Sequence, residues 1–343
     1  MTGRRLLWPL LPLFGLSLLV LGSLSWQLAL NQGVFIILGL GLFVLVSNYP
    51  YSQHRFFSRQ YLGLIIFLLL LPYIFGVTTR GAIRWIPLGS FSLQPSELVK
   101  PLLIIIFAAY LSASQKLGGY LLLLLLPFGL IFKQPDLGTS LVVGVIWLGL
   151  LFNSRVDRRQ IFGFLGVVLI SFPLIFRLLQ PYQKERLTGF VNPYADPAGS
   201  GYQVIQALIA VGGGGWLGQG LGRGSQSQLQ FLPERQTDFI FSAITEELGV
   251  AAGAVLLLSY LWLLRRLLVV AGLAADEFGR LVVTGVIIML WFQAVVTIGM
   301  NLGMMPVTGI TLPLVSAGGS SLLSIMISLG LVGSVWKFSQ SGL

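Results

Sequence analysis

Long apolar segments recur along almost the whole chain, and they limit how it can fold more than any other feature. Each is close to the roughly 17 to 25 apolar residues that an α-helix needs to cross the hydrocarbon core of a bilayer. About ten such spans lie near residues 6–25, 32–48, 60–77, 97–113, 118–132, 137–152, 161–178, 239–264, 280–300 and 318–336. No soluble composition separates them, which excludes a cleaved signal peptide ahead of a soluble protein. The predicted fold is an all-α polytopic integral membrane protein, with about ten transmembrane helices in one domain over residues 1–343.

The basic residues alternate from loop to loop, which predicts the orientation of the chain. Of the 21 Lys and Arg residues, 12 lie near the two termini and in alternate short loops. They are Arg4, Arg5, Arg55, Arg59, Lys116, Arg155, Arg158, Arg159, Arg265, Arg266, Arg280 and Lys337. Because cytoplasmic loops carry such an excess of positive charge, we predict that both termini are cytoplasmic. The net charge of +10 then reflects helix orientation and contact with anionic membrane lipids, and nucleic acid is not an expected partner.

The rarity of histidine and cysteine narrows the chemistry. The chain has no cysteine, which excludes disulfides, thiolate nucleophiles and iron–sulfur clusters. The chain has a single histidine, His54, which excludes a histidine metal cluster. His54 is also predicted on the cytoplasmic side. Any catalysis must therefore use carboxylates, Lys, Arg, hydroxyl groups or the backbone.

One loop is much longer than the others. Residues 179–238 form a large external loop between the seventh and eighth spans, and loops of this length are usually functional or disordered. Within it, residues 201–212 read as a short amphipathic helix able to lie at the membrane interface. The next residues, 213–218, match G-x-G-x-x-G, but no strand precedes them, so we interpret them as a close-packed turn and not as a dinucleotide site.

Ionisable residues cluster at the external end of the fourth span. Arg80 and Arg84 lie on the external side, against the positive-inside bias, and guanidinium geometry suits phosphate oxygens. Glu97 and Lys100 are three residues apart, so on a helix they share a face and can pair. An ionisable residue in an apolar span is by default a functional hypothesis, and the alternative is a structural ion pair.

Two further external segments contain candidate residues. Lys133 and Asp136 precede the sixth span, where Asp136 is as well explained by capping a helix as by function. Residues 301–322, which include Ser316, are uncharged and rich in Gly, Pro and hydroxyl groups. Irregular backbone at membrane depth is tolerated only where it is buried or lines a cavity, so we predict a re-entrant cavity lining.

The segment FLPERQTDFIF, residues 231–241, places three charges directly before the eighth span. On a helix, Glu234 and Asp238 would share a face, with Arg235 three residues before Asp238. Arg235 would then keep Asp238 ionised, whereas Glu234 would oppose ionisation by repulsion. Glu234 is left with three possible roles: it tunes Asp238, helps to hold a cation, or begins the helix.

Five segments in this order resemble the signature segments of the SEDS family, the shape, elongation, division and sporulation proteins. They are RGAIRWIPLGSFSLQPSELVKP, KQPDLGT, RLTGFVNPYADPAGSGYQVIQALIAVG, FLPERQTDFIFSAITEELG and MPVTGITLPLVSAGGSS. The resemblance implies a ten-span peptidoglycan glycosyltransferase that polymerises lipid II outside the bacterial cytoplasmic membrane, together with a class B penicillin-binding protein. It also implies that Asp238 is catalytic and that Arg84, Glu97 and Lys100 are functional.

The match departs from the family pattern at two positions and indicates one branch. Gln236 stands where histidine is frequent, and Ala317 where tyrosine is frequent, but neither change removes an ionisable group that the chemistry needs. Residues 224–228, FLPER and MPVTG resemble the RodA (elongation) branch more than the FtsW (division) branch.

The chemistry of such a transfer agrees with the residues present. The donor carries undecaprenyl diphosphate, whose developing charge cations would stabilise, while a carboxylate removes the proton of the acceptor 4-hydroxyl, as in an inverting displacement. We predict Asp238 as that base; a free Asp has a pKa of about 3.9, so the role requires either partial desolvation or proton loss late in the transition state. The candidate substrate-binding residues are Arg80, Arg84, Glu97, Lys100, Lys133, Asp136, Glu234 and Ser316.

No cofactor is certain from the sequence. Mg²⁺ or Mn²⁺ is a candidate, with Asp238 and Glu234 helping to hold it beside the diphosphate, but no full ligand set is visible. Two other hypotheses are open: a transporter that flips lipid II, and a non-catalytic scaffold for cell-wall enzymes.

Overall fold

A computed structural model describes residues 6–79, 82–89, 91–114, 116–178, 184, 186 and 189–340. Arg80, one of the predicted substrate ligands, lies outside the described residues.

Each of the ten predicted spans corresponds to a helix. They are α1 (Leu10–Leu24), α2 (Trp26–Asn48), α4 (Ser58–Phe75), α5 (Pro95–Ala113), α6 (Leu117–Lys133), α7 (Leu137–Phe152), α8 (Arg158–Leu178), α11 (Ile240–Gly272), α12 (Glu277–Asn301) and α13 (Gly319–Gln340). By length and composition, 6 of the described helices are long and apolar enough to cross a membrane, and α1, α6 and α7 are apolar but shorter. The predicted helical membrane fold is confirmed.

Helix α11 is longer than predicted. Its 33 residues, interrupted at Gly249, would extend about 50 Å if straight, compared with a hydrocarbon core of about 30 Å. The predicted span ended at residue 264 because Arg265 and Arg266 follow, but neither residue breaks a helix, and α11 continues to Gly272. The hydropathy pattern therefore located the span correctly and missed its continuation past the two arginines.

The interior of the bundle is formed chiefly by α5, α12 and α13, most of whose residues are buried. Helix α2 packs closely on α13, where Gly39 faces Met326 and Gly330 faces Val46. Small residues allow such close approach of membrane helices. The start of α5, the end of α12 and the start of α13 lie on the same side of the bundle, and they position the site described below.

A small antiparallel sheet connects α4 to α5, an addition to the all-α prediction. Its strands are β1 (Val77–Thr79), β2 (Ala82–Leu88) and β3 (Phe91–Leu93), in the order β1-β2-β3. Ile86 pairs with Leu93, and Gly89 supplies a positive φ of 67° between β2 and β3. The strands are too short to give a strong pattern beside the long spans, yet they carry Arg84 and Trp85.

The described part of the large loop includes three helical elements with defined bounds. They are a 3₁₀ turn (Pro193–Ala195), α9 (Tyr202–Gly214) and α10 (Ser225–Gln228); a further short helix, α3 (Tyr51–Phe56), follows α2. The predicted helix at residues 201–212 is confirmed as α9. Val204, Ala207 and Ala210 are buried, so α9 packs one face onto the bundle, against α11 above all.

Candidate active site

A cavity of about 600 Å³ opens on the side of the bundle that the charge pattern predicts to be external. Its wall comes from β2, the start of α5, the loops before α7 and α11, α12 and residues 307–321. Among the described residues, the charged ones in the wall are Arg84, Glu97, Arg186, Glu234 and Asp238. Residues 307–311, 317–318 and 320–321 line it, which confirms the predicted cavity lining, and they meet carboxylates and guanidinium groups from distant parts of the chain.

Asp238 lies in a run of turns, not in the helix that the sequence suggested. Glu234 adopts a left-handed φ of 52°, and its carbonyl oxygen accepts hydrogen bonds from the backbone N–H groups of Thr237 (3.0 Å) and Phe239 (3.1 Å). Helix α11 then begins at Ile240. The prediction that Glu234 and Asp238 share one helical face is therefore wrong, although both residues still line the cavity.

Hydrogen bonds donated to three consecutive backbone carbonyls hold Asp238 in place. Ala317 N–H donates to Gln236 O at 2.8 Å, Ser316 Oγ to Thr237 O at 2.6 Å, and Asn301 Nδ2 to Asp238 O at 2.9 Å. Ser316, a predicted substrate ligand, is buried and does not line the cavity, so in this structure it supports the turn.

Asn301 was not identified from the sequence. It is fully buried at the end of α12, and its Oδ1 accepts from both Ser242 N (2.9 Å) and Ser242 Oγ (2.7 Å). It thereby joins the start of α11 to Asp238 and α12. A lone Asn at the end of a span has no periodic signal; only its place in the uncharged segment 301–322 could have drawn attention to it.

The surroundings of Asp238 raise the pKa of its carboxyl group to about 6. Removal from water is the largest cause, and repulsion from Glu234 adds to it, because both effects disfavour the ionised form. Arg186 and Arg84 act in the opposite direction. Of the two conditions that the sequence allowed for this base, desolvation is the one that the structure provides.

The cations beside Asp238 differ from the predicted one. A methyl group on Gly309 would lie 3.7 Å from Asp238 Oδ2 and 3.9 Å from Arg186 Nη1, so both side chains reach the same point of the wall. Arg235, which the sequence placed beside Asp238, does not line the cavity, and its Nε is buried without a hydrogen-bond partner. Arg186 was missed because a charged residue in a long loop has no predictable direction.

Asp136 holds Arg84 at the cavity wall. Its carboxylate accepts hydrogen bonds from Gln94 Nε2 (2.7 Å), Ser96 Oγ (2.9 Å) and Thr139 N (3.2 Å), and lies 3.6 Å from Arg84 Nη1. The bond to Thr139 confirms the helix-cap reading. Asp136 is buried outside the wall, so it orients Arg84 and does not face the cavity itself.

The other two predicted cations do not reach the cavity. Lys133 is exposed at the end of α6. That helix ends at Lys133 and Asp136 caps the next one, so the two residues do not share a helical face. Lys100 is completely buried, with its Nζ 2.5 Å from Glu97 Oε2, which confirms the predicted pair. Only Glu97 of that pair lines the cavity.

The described residues contain no group of three His, Cys, Asp or Glu side chains that could hold a metal ion. Glu234 and Asp238 are the two carboxylates of the wall that approach each other, since Glu234 acts on the pKa of Asp238. A divalent ion at this point would need further ligands from a bound substrate.

The family model FTSW_RODA_SPOVE, described as "Cell cycle protein", matches residues 10–341. The chain belongs to the SEDS family. It is 38% identical over 307 residues to "Peptidoglycan glycosyltransferase MrdB" of Escherichia coli K12, covering 88% of this chain and 83% of that protein. It is 37% identical over 314 residues to "Probable peptidoglycan glycosyltransferase FtsW" of Geobacter metallireducens, with the same shares covered.

A solved structure agrees with this SEDS fold. A chain from work on the "structural coordination of polymerization and crosslinking by a peptidoglycan synthase complex" superposes with a TM-score of 0.83 at 33% identity, covering 98% of each chain. The relatives of the two branches are about equally similar, so the elongation branch stays a prediction.

Replacing Asn301 with alanine is expected to lower kcat for glycan synthesis by about tenfold to a hundredfold, because a small displacement of a catalytic group has effects of this size. The KM for the lipid-linked substrate should change little, since Asn301 does not line the cavity. The measurement is steady-state kinetics of glycan synthesis. Asn153→Ala, the same change at the exposed end of α7, should leave both constants unchanged. An unaltered kcat in Asn301→Ala would contradict the positioning role.

Proposed function

We propose that the chain polymerises lipid II into glycan strands, with Asp238 as the base for the acceptor 4-hydroxyl. The chain is a peptidoglycan glycosyltransferase, the activity by which its relatives are named. The observation that carries the proposed mechanism is Asp238 itself, a carboxylate with a pKa of about 6 in the wall of a large cavity that it shares with two arginines.

The proposed reaction is a single displacement. The Asp238 carboxylate takes the proton of the acceptor 4-hydroxyl, whose oxygen forms a bond to the donor's anomeric carbon as undecaprenyl diphosphate leaves. Arg84 and Arg186 line the same cavity and would stabilise the charge that develops on the diphosphate. Asp136 supports this step indirectly by holding Arg84.

The rate of glycan synthesis should depend on pH through Asp238. The base works only when ionised, and its pKa is about 6, so kcat/KM should fall as the pH drops through about 6 and level off above it. Glu234→Gln removes a repulsion that raises this pKa, so the midpoint should move to lower pH. The check is a pH–rate profile for both proteins. A flat wild-type profile between about pH 5 and 7 would contradict this assignment.

A divalent cation, Mg²⁺ or Mn²⁺, is part of the proposal. Glu234 and Asp238 would hold it, and the diphosphate and water would complete the ligand set that a hard cation prefers. Bound there, it would neutralise charge on the leaving group. The residues present fit this role only together with the substrate, since two carboxylates alone are a weak site.

We further propose that the chain works in the bacterial cytoplasmic membrane, with cytoplasmic termini and a class B penicillin-binding protein as its crosslinking partner. The multi-pass helical fold supports the membrane location. The similarity to a chain of a peptidoglycan synthase complex supports such a partner.

The test separates polymerisation from transport. Purified protein and its partner are given lipid II in detergent, where no translocation is possible, and glycan chains are followed by gel electrophoresis. We expect polymer from the wild type. A transporter or a scaffold predicts none, and that result would overturn the proposal.

A further inference from the structure

Helix α11 is interrupted at Gly249, which has φ 79° and ψ 176° inside an otherwise helical segment. Such a break removes intrahelical hydrogen bonds around it. Within a bilayer, the backbone groups released in this way must find partners in the protein. They find them in residues 215–220, which we call the glycine turn.

The glycine turn and α11 exchange backbone hydrogen bonds in both directions. Val250 N–H donates to Gly215 O (2.9 Å) and Ala251 N–H to Trp216 O (3.2 Å). In return, the turn's Gln219 N–H donates to Glu246 O and its Gly220 N–H to Glu247 O, both at 2.9 Å. These bonds satisfy four backbone groups of α11 and four of the glycine turn, and irregular backbone at membrane depth needs such partners within the protein.

The two segments touch backbone to backbone. A Cβ atom on Gly218 would lie 2.2 Å from Glu247 O, and one on Gly249 would lie 2.3 Å from Trp216 O. Any side chain at these positions would force the segments apart. The contact thus depends on glycine in both partners and is a built feature of the fold.

The glycine turn lies below the end of α11 that carries the cavity. From Ile240 to Gly249 the helix advances about 14 Å. If Arg265 marks the opposite interface, a core of about 30 Å ends near residue 245 on the cavity side. Helix α9 leads down to this level, because Ala207 clusters with Phe239 at the helix end, whereas Gly214 packs against Thr245.

The side chains at the tip of the turn are apolar and uncovered. Trp216 is 80% exposed and Leu217 is 84% exposed, and no charged residue occurs between positions 202 and 222. Tryptophan is enriched at membrane interfaces. We propose that the glycine turn re-enters the leaflet on the cavity side and that Trp216 and Leu217 bind lipid there.

The large loop was predicted to be wholly external, whereas a re-entrant glycine turn places part of it in the membrane. Helix α9 connects the turn to the cavity, whose wall includes Gln203. Anchoring of the turn would hold this wall at the bilayer surface, where a lipid-linked donor resides. This consequence, unlike the insertion itself, rests on the proposed function.

The chain has no cysteine, which permits single-cysteine labelling without other changes. Leu217→Cys is labelled with bimane in lipid nanodiscs, and quenching is measured with doxyl-labelled phospholipid and with aqueous iodide. Ile170→Cys, 81% exposed on α8, is the lipid-facing control, and Tyr194→Cys, 70% exposed in the large loop, is the water-facing control.

The expected result is that the label at position 217 is quenched by doxyl lipid as strongly as that at 170, and by iodide several-fold less than that at 194. Iodide quenching equal to that at 194 would overturn the insertion, and so would protection from both quenchers. The readout needs no enzymatic activity, so it is independent of the proposed function.

The functional consequence has its own test. The double variant Trp216→Ser, Leu217→Ser is expected to raise the KM for lipid II in nanodiscs several-fold while leaving kcat unchanged. An unchanged KM would overturn the role of the anchor in substrate capture, whatever the labelling shows.

Discussion

Replacing Asp238 with asparagine is expected to lower the rate of glycan synthesis by about a hundredfold to ten-thousandfold, the range that general base catalysis contributes. Asparagine has nearly the same shape, so the three hydrogen bonds to the backbone of residues 236–238 should persist. What is lost is the acceptor for the proton of the 4-hydroxyl. The measurement is the initial rate of lipid II consumption by purified protein with its partner.

The matched control is Asp196→Asn, which makes the same chemical change at an exposed position in the large loop. Asp196 accepts hydrogen bonds from Gly199 N through Oδ1 and from Ser200 N through Oδ2, so asparagine keeps one of the two, at a position outside the cavity wall. This variant should retain the wild-type rate. If Asp238→Asn, folded as judged by its thermal unfolding, polymerised as fast as the wild type, Asp238 would not be the base.

Breaking the buried ion pair of α5 is expected to have the largest effect on stability. Lys100→Met leaves the Glu97 carboxylate without the ammonium group that lies 2.5 Å away. Removing one partner of a buried pair typically costs about 3 to 5 kcal/mol, because the remaining charge is desolvated and uncompensated. The expected observation is a large decrease in the thermal unfolding temperature in detergent.

The double variant Glu97→Gln, Lys100→Met should recover most of that loss, since no charge then remains buried. The chain also offers a half-buried pair of the same spacing, Glu277 and Arg280, at 2.7 Å. Arg280→Met should cost about 1 kcal/mol, because an ion pair open to solvent on one side contributes much less than a buried one. If Lys100→Met and Arg280→Met lowered the unfolding temperature equally, burial of Lys100 would not explain the stability of the pair.

Features with a local pattern were predictable from the sequence. The ten spans follow from runs of apolar residues, and the pairing of Glu97 with Lys100 follows from their spacing on one helix. Asp136 was correctly considered as a cap, because capping depends only on the next few residues. The ordered motifs also sufficed to indicate the SEDS family, which the family model confirms.

Features that depend on distant segments were not predictable. Spacing suggested Arg235 as the cation beside Asp238, but the left-handed Glu234 disrupts the assumed helix, and Arg186 occupies that role from the large loop. Lys133 was expected at the site and is exposed on α6 instead. The error at Arg235 arose because helical spacing was applied where the chain is not helical, whereas Lys133 ends α6 and lies outside the cavity wall.

The sequence by itself determined that this protein is a multi-pass helical membrane protein of the SEDS family and that Asp238 is its candidate base. Hydropathy and local spacing act between neighbours along the chain, so they can be read without coordinates. Only the tertiary structure decided which charged side chains share the cavity. It also showed that Asn301 and Ser316 bind the turn before residues 239–241. The break in α11 at Gly249, where the helix exchanges hydrogen bonds with the glycine turn, was likewise visible only there. Those contacts join residues far apart in sequence, and packing of the helices alone brings them together.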